Sequence, residues 1–225
     1  ATNRGGQGVL LGGIAGVPPA KVIILGAGIA AEFATRTALG LGAEVRIFDD
    51  NVYKLMQLQN RVGRQLYTSV VNPIHLREQL LTADVAIGAV HSAHANSPMM
   101  VPEDIVQGMK PGSVIVDVSI DQGGCFETSK ATTHDAPTFV KHGVTHYCVP
   151  NIPSRVARTA SDAISNILTS LLLKAESGGI LSLITANEGL RNGVYTYKGC
   201  LTNAHIGERF NLKSTDLDLL ITSDF

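Results

Sequence analysis

Short apolar runs alternate with amphipathic stretches along most of the chain. Val22–Leu25, Val45–Phe48, Gln65–Val70, Val85–Val90, Val114–Ile120 and Val144–Val149 are rich in β-branched and apolar residues, as strands covered on both faces are. Between them lie about a dozen helix formers after Gly28, the stretch Val52–Arg61 with Val52, Leu55, Met56 and Gln59 at helical spacing, Pro73–Leu81 with its proline in the first turn, and Pro102–Met109. The alternation predicts an α/β fold: a Rossmann-type, doubly wound parallel sheet with helices on both faces. Residues 125–140 read as a long irregular loop. A helix opens at Asn151-Ile152-Pro153-Ser154, runs to about Lys174 with an apolar side around Ile164, Ile167, Leu168, Leu171 and Leu172, and ends at Ser177-Gly178-Gly179. The tail, 180–225, is expected to hold one or two short helices around Tyr195–Gly199. The expected organisation is a glycine-rich lead-in over 1–20, a dinucleotide-binding domain over 21–153, and a C-terminal helical extension over 154–225.

The chemistry concentrates between Lys21 and Asp50. Val22–Leu25 runs directly into Gly26-Ala27-Gly28, a helix follows, and the second strand ends at Asp49. This is a G-x-G-x-x-A fingerprint in its proper βαβ setting. Gly26 permits the tight turn. Gly28, lacking a side chain, lets backbone N–H groups approach a pyrophosphate at the helix N-terminus. Ala31 stands at the third glycine position and is small enough for close helix–strand packing. Asp49 is in register to accept the two ribose hydroxyls of an adenosine, and the neighbouring Asp50 repels a 2′-phosphate, so NAD is expected in preference to NADP. The alternative is a tight α/β turn that binds nothing.

The other strand ends are Asn72, Val90-His91 and Ile120-Asp121-Gln122-Gly123-Gly124, where ligands of such sheets collect. Asp121 is the most informative of these, as a functional carboxylate or as a turn cap. His134-Asp135 suggests a base with its orienting acid, but adjacent residues rarely face each other, and a solvated loop is the better reading. Residues 1–20 carry Gly5, Gly6, Gly8, Gly12, Gly13 and Gly16, then Pro18-Pro19. They lack the G-K-[ST] ending of a phosphate loop and read as a lead-in without strong structure of its own.

Composition narrows the classes. The net charge of −1 gives no argument for nucleic acid or an anionic membrane. Charged residues are 16% and hydrophobic residues 44%, a balance that suggests surface buried by another domain or subunit. Three cysteines, Cys125, Cys148 and Cys200, without C-x-x-C argue against a disulfide framework and a zinc site, and no metal is expected. No apolar run is long enough to span a membrane. With no signal-peptide layout at the N-terminus, a reducing cytoplasm is expected.

With these motifs placed, the chain resembles the alanine dehydrogenase family over nearly all its length, specifically the NAD-binding domain and C-terminal segment. The carrying stretches are Arg4–Gly13, Gly16–Gly28, Lys110–Asp117, Thr132–Asp135, His146–Val149 with Asn151, and above all Ile120-Asp-Gln-Gly-Gly-Cys-Phe-Glu-Thr-Ser129. The resemblance implies reversible oxidative deamination of L-alanine with NAD to pyruvate and ammonia, in a homo-oligomer that is hexameric in the family. It places Ile29 and Ala30 over the pyrophosphate, Asp49 at the ribose, and Lys54 and Asn72 along the adenosine end. Val90 and His91 match a backbone pair on the nicotinamide side. Val118, Ser119, Ile120 and Asp121, with Pro150, Asn151, Ile152 and Pro153, match the loops flanking the nicotinamide, and Asp121 matches an active-site aspartate.

Two departures are local. Ala31 replaces the family's usual third glycine, and loop 91–97 reads His-Ser-Ala-His-Ala-Asn-Ser where an apolar residue and Pro-Gly-Ala-Lys-Ala are usual. A third is larger: the family's catalytic lysine and histidine and its carboxylate-binding arginine belong to an N-terminal domain that no stretch here resembles. The expectation is a cofactor-binding fragment, inactive alone, whose C-terminal segment packs on the missing domain. The alternatives are a module like transhydrogenase domain I, which passes hydride to another protein, and a domain that senses NAD without reacting.

Overall fold

The computed structural model describes residues 5–91 and 100–222, apart from the Ser177 side chain. His94 and the rest of the loop after His91, as far as residue 99, lie outside the described residues. The chain divides into two compact units, Ala1–Ile152 and Pro153–Phe225. Among the described residues no helix is long and apolar enough to cross a membrane.

The first unit is built on β1 (Lys21–Leu25), α1 (Ile29–Gly40), β2 (Glu44–Phe48), α2 (Val52–Val62), β3 (Tyr67–Ser69), α3 (Pro73–Leu81), β4 (Val85–Gly88), α4 (Glu103–Gln107), β5 (Val114–Asp117), β6 (Thr138–Lys141) and β7 (Val144–Tyr147). The seven strands form one sheet in the order β3-β2-β1-β4-β5-β7-β6. Every pairing is parallel except β6 with β7. Direction of growth reverses between β1 and β4, and that junction is where such sheets open a crevice.

The alternation inside β1 shows why the sheet needs cover on both sides. Val22 and Ile24 enter one cluster with Ala31, Ala38, Leu55 and Leu58, whereas Ile23 and Leu25 enter the other with Leu76, Leu80, Ile105 and Val106. Burying each such side chain fully contributes about 1.5–3 kcal/mol. α1 approaches closely because the face it buries is Ala31, Thr35 and Ala38. The helix starts of α2 and α3 are fixed by side-chain caps: Asn51 accepts from the Lys54 N–H, and Asn72 from those of Ile74 and His75.

Several sequence expectations are corrected. The fifth strand stops at Asp117, and residues Val118–Gln122 wind into a 3₁₀ turn instead of continuing to Ile120. The cause is Asp117 itself, whose carboxylate accepts the Ser119 N–H and draws the backbone away from the ladder. The fourth strand likewise ends at Gly88, short of Val90. The expected loop of 125–140 already carries β6 at its end. His142 and Gly143, at φ 53° and 74°, form a two-residue turn that folds β6 back on β7. The lead-in also has structure, with an antiparallel bridge between Ile14 and Val17 and the Ala20 N–H bonded to the Leu11 carbonyl.

A 3₁₀ turn, Ile152–Val156, begins at the last residue of the first unit and precedes α5 (Ala157–Ala186) of the second, in which Gly179 is non-helical at φ 75° and ψ 164°. The expected stop at 177–179 is thus a break after which the helix resumes. α6 (Glu188–Asn192), β8 (Thr196–Tyr197), β9 (Cys200–Leu201), α7 (Ala204–Phe210) and α8 (Leu217–Thr222) follow. Where short helices were expected around Tyr195–Gly199, the chain makes a hairpin. Lys198 and Gly199, both at positive φ, supply a second two-residue turn. Ile184, Leu217 and Ile221 form the unit's small core, with Val194 and Tyr197 against it.

Candidate functional site

The site begins at the turn between β1 and α1. Gly26 sits at φ 103°, and a Cβ there would overlap the Ala89 carbonyl oxygen, so no other residue passes this point without strain. Gly28 is the N-cap of α1 and provides no side-chain cap. Nothing lies within 4 Å of where its Cβ would be. The first N–H groups of α1 therefore open into free space with no acceptor from the helix, at the positive end of its dipole. This is a cradle for an anion carried by a ligand.

Asp49 closes one side of it. One carboxylate oxygen accepts the Ala27 N–H at 2.8 Å, and the other accepts the Asn51 N–H at 2.8 Å. The end of β2 is thereby tied to the glycine turn and to the start of α2. Half-buried Asp49 still has lone pairs for ligand hydroxyls, since a carboxylate offers about four acceptor positions. A cleft of about 320 Å³ runs past Gly26, Gly28, Asp49, Asp50 and Lys54 to Val90 and His91.

From Val90 and His91 a second recess of about 280 Å³ continues over Ala30, Val118, Ser119, Asp121 and Gln122. Its wall is the 3₁₀ turn after β5, fixed at two points. The Ser119 hydroxyl donates to the Val90 carbonyl at 2.8 Å, joining the ends of β5 and β4. Behind it Asp117, 0% exposed, accepts from Ser119 N–H at 3.1 Å, Cys125 N–H at 3.0 Å and the Ser129 hydroxyl at 2.7 Å. Burial raises its pKa above the usual carboxylate value, and these donors oppose the shift. The Cys125 thiol is pushed well up by burial and by the Asp117 charge, which makes it an inert packing group. Asp121 itself is exposed on the recess wall.

The fold thus brings together Gly26, Gly28, Ala30, Asp49, Lys54, Val90, His91, Val118, Ser119 and Asp121 on two adjoining recesses that share Ala89, Val90 and His91. Other expected residues lie off their lining. Ile29 is 71% exposed beside the cradle, and Ile120 is buried beneath the turn at 8%. Asn72 is exposed, with its carboxamide oxygen engaged as the α3 cap. Pro150, Asn151 and Ile152 follow β7, with Asn151 at φ 53°, and Pro153 opens the second unit. Sequence reasoning overlooked Asp117 and Ser129 as the groups that hold the turn. The available signal was an aspartate closing an apolar run two residues before a serine, a common turn-forming pattern.

The model of the family described as alanine dehydrogenase/PNT, C-terminal domain, matches residues 1–204. The chain belongs to this family. It is 44% identical over 211 residues to alanine dehydrogenase 2 of Staphylococcus aureus, covering 93% of this chain and 57% of that protein. The chain therefore spans little more than half the length of that relative. Among solved structures, an L-alanine dehydrogenase superposes with a TM-score of 0.85 at 38% identity, over 93% of this chain and 58% of that one. A transhydrogenase from Sinorhizobium meliloti gives a TM-score of 0.68 at 26% identity, over 87% and 54%. The family resemblance and the Rossmann-type fold expected from the sequence both hold.

Proposed function

We propose that this chain is the NAD-binding half of an alanine dehydrogenase, serving the reversible oxidative deamination of L-alanine to pyruvate and ammonia. The observation that carries this reading is a pair of adjoining recesses that share Ala89, Val90 and His91, one beside the glycine cradle and Asp49, the other beside Asp121. The open N–H groups of α1 fit a pyrophosphate, and the spare lone pairs of Asp49 fit ribose hydroxyls. NAD supplies the hydride acceptor when bound. On this reading Asp121, which lines the second recess, holds a proton in the acid–base exchange around the substrate imine. Asp49 and Asp50 put negative charge where a 2′-phosphate would sit, favouring NAD over NADP.

On this reading the groups that clamp the alanine carboxylate belong to the part of the relatives that this chain does not span. Losing that positioning raises the barrier by about 7–11 kcal/mol. The test pairs calorimetric titration of NAD and NADP with an assay of NADH production from alanine at alkaline pH. NAD binding without turnover is expected. Equal or tighter NADP binding, or robust turnover, overturns the corresponding half of the proposal.

The transhydrogenase likeness favours a second reading, an NAD(H)-binding module that passes hydride to another protein. Joining the chain to the substrate domain of an alanine dehydrogenase separates the two: restored alanine turnover supports the first reading, and a bound cofactor with no turnover the second. We also propose a cytoplasmic homo-oligomer. Its support is the apolar run on α5, where Ile164, Ile167, Leu172 and Leu173 are 57–68% exposed. Light scattering that shows a monodisperse monomer refutes the assembly.

A further inference from the structure

We infer that Asp117 is a specificity-determining residue that makes the cleft hold the oxidised cofactor in preference to the reduced one, through a buried negative charge whose described hydrogen-bond partners are all uncharged. The inference rests on the NAD-binding reading.

The cleft has two ends. Asp49 and Lys54 define the adenosine end, and the glycine turn takes the pyrophosphate. The remaining nicotinamide riboside must then cross the β1–β4 junction into the recess walled by Val118, Ser119 and Asp121. Asp117 stands directly behind that wall: it precedes Val118 in the chain and bonds the Ser119 N–H at 3.1 Å. Its other partners are the Cys125 N–H, the Ser129 hydroxyl and, at 3.9 Å, the Cys125 thiol. Each of these is a neutral donor. Each carboxylate oxygen accepts a backbone N–H, a group that only donates, and this pairing suits the ionised form.

Two glycines seal the charge from solvent. A Cβ at Gly88 would lie 2.9 Å from one Asp117 oxygen, and a Cβ at Gly124 would lie 2.7 Å from the other. Salt and water therefore screen this charge far less than that of exposed Asp121. The oxidised nicotinamide ring carries a positive charge and the reduced ring carries none, so the field of Asp117 discriminates between them. For unit charges on the order of 10 Å apart at an effective dielectric constant of about 20, the discrimination is on the order of ten-fold in affinity.

The test measures Kd for NAD+ and for NADH by calorimetry on the full chain, as wild type, Asp117→Asn and Asp117→Ser. Asn is isosteric and neutral. Ser keeps a cap for the Ser119 N–H and leaves room for water, so it serves where melting curves show the Asn variant unfolded. Neutralising the charge is expected to raise the ratio Kd(NAD+)/Kd(NADH) on the order of ten-fold. A purely structural role weakens both cofactors together and leaves the ratio within about two-fold of wild type, which overturns the inference. A wild-type chain that binds neither cofactor removes the NAD-binding reading and this inference with it. A wild type that binds both, with an unchanged ratio in the folded variant, removes the inference alone.

Discussion

Asp49 and Asp117 stand at the ends of two strands of the same sheet, and each gathers backbone N–H groups of nearby loops, yet they build opposite environments. Asp49 takes one N–H on each oxygen and is half-buried beside an open cradle, with acceptor positions to spare. Asp117 takes two N–H groups and a hydroxyl and is sealed from solvent. The same device makes a binding edge where the chain leaves it open and a scaffold where the chain closes over it. Gly28 keeps the first open, and Gly88 and Gly124 allow the second to close.

The largest expected effect breaks the scaffold side. Asp117→Ala strands the Ser119 and Cys125 N–H groups and the Ser129 hydroxyl in a dry site. At about 1–3 kcal/mol for an unsatisfied donor, partly offset by water entering the space, a loss of about 3–5 kcal/mol in stability is expected by urea denaturation. A change under about 1 kcal/mol would mean that the turn after β5 holds itself without the carboxylate.

Breaking the binding side moves affinity more than stability. Asp49→Ala is expected to weaken NAD binding by about 1–3 kcal/mol, and Asp50→Ala by clearly less, because only Asp49 is bonded into the glycine turn. Calorimetry on both variants decides it. Comparable losses would show that the carboxylate reaching the ribose has been misassigned.

Acid acts in opposite directions on two buried groups of the β5 side, His146 and Asp117. Buried His146 stacks on Phe139, with Nδ1 facing the Val144 carbonyl and Nε2 facing the Thr128 hydroxyl. Its pKa is lowered from 6.5, chiefly by burial, so the unfolded chain binds this proton more readily than the folded one. Its contribution is present above pH 6.5 and is lost as pH falls through that value toward the depressed folded one. The raised pKa of Asp117 acts the other way: between its folded value and the ordinary 3.8, falling pH favours the folded state. Denaturation curves across pH should therefore show a loss that begins near neutrality and is absent in His146→Gln. An identical pH profile in that variant would assign the loss to other groups.

What the sequence made legible was local. The glycine turn, α1 and Asp49 lie within one βαβ unit, and three short-range cues there agree: an apolar run, glycine spacing and an acid in register. The Asp117 network is harder to see because its partners lie as far as Ser129, on a loop whose path depends on the carboxylate they share. Both hairpins were missed for a related reason. His142-Gly143 and Lys198-Gly199 place a residue other than Asn or Asp at positive φ, so the usual two-residue signature is absent and pairing with the neighbouring strand decides the turn.

The smallest expected effect sharpens the boundary between cap and site at Asn72. The family resemblance puts this residue along the adenosine end, whereas its carboxamide oxygen already accepts from Ile74 N–H at 3.0 Å and His75 N–H at 3.1 Å. The side chain is committed to starting α3, and the cleft wall beside it is formed by Val71. Asn72→Ala should therefore lower stability by about 1 kcal/mol, as for other lost N-caps, while NAD affinity stays within about two-fold. Asn72→Asp keeps an acceptor at the cap and should restore the stability, but it removes the amide N–H donors. If the residue acted on the cofactor through those donors, both variants would bind NAD more weakly, and the Asp variant would do so at full stability. That pattern would move Asn72 from the scaffold to the binding edge of the cleft.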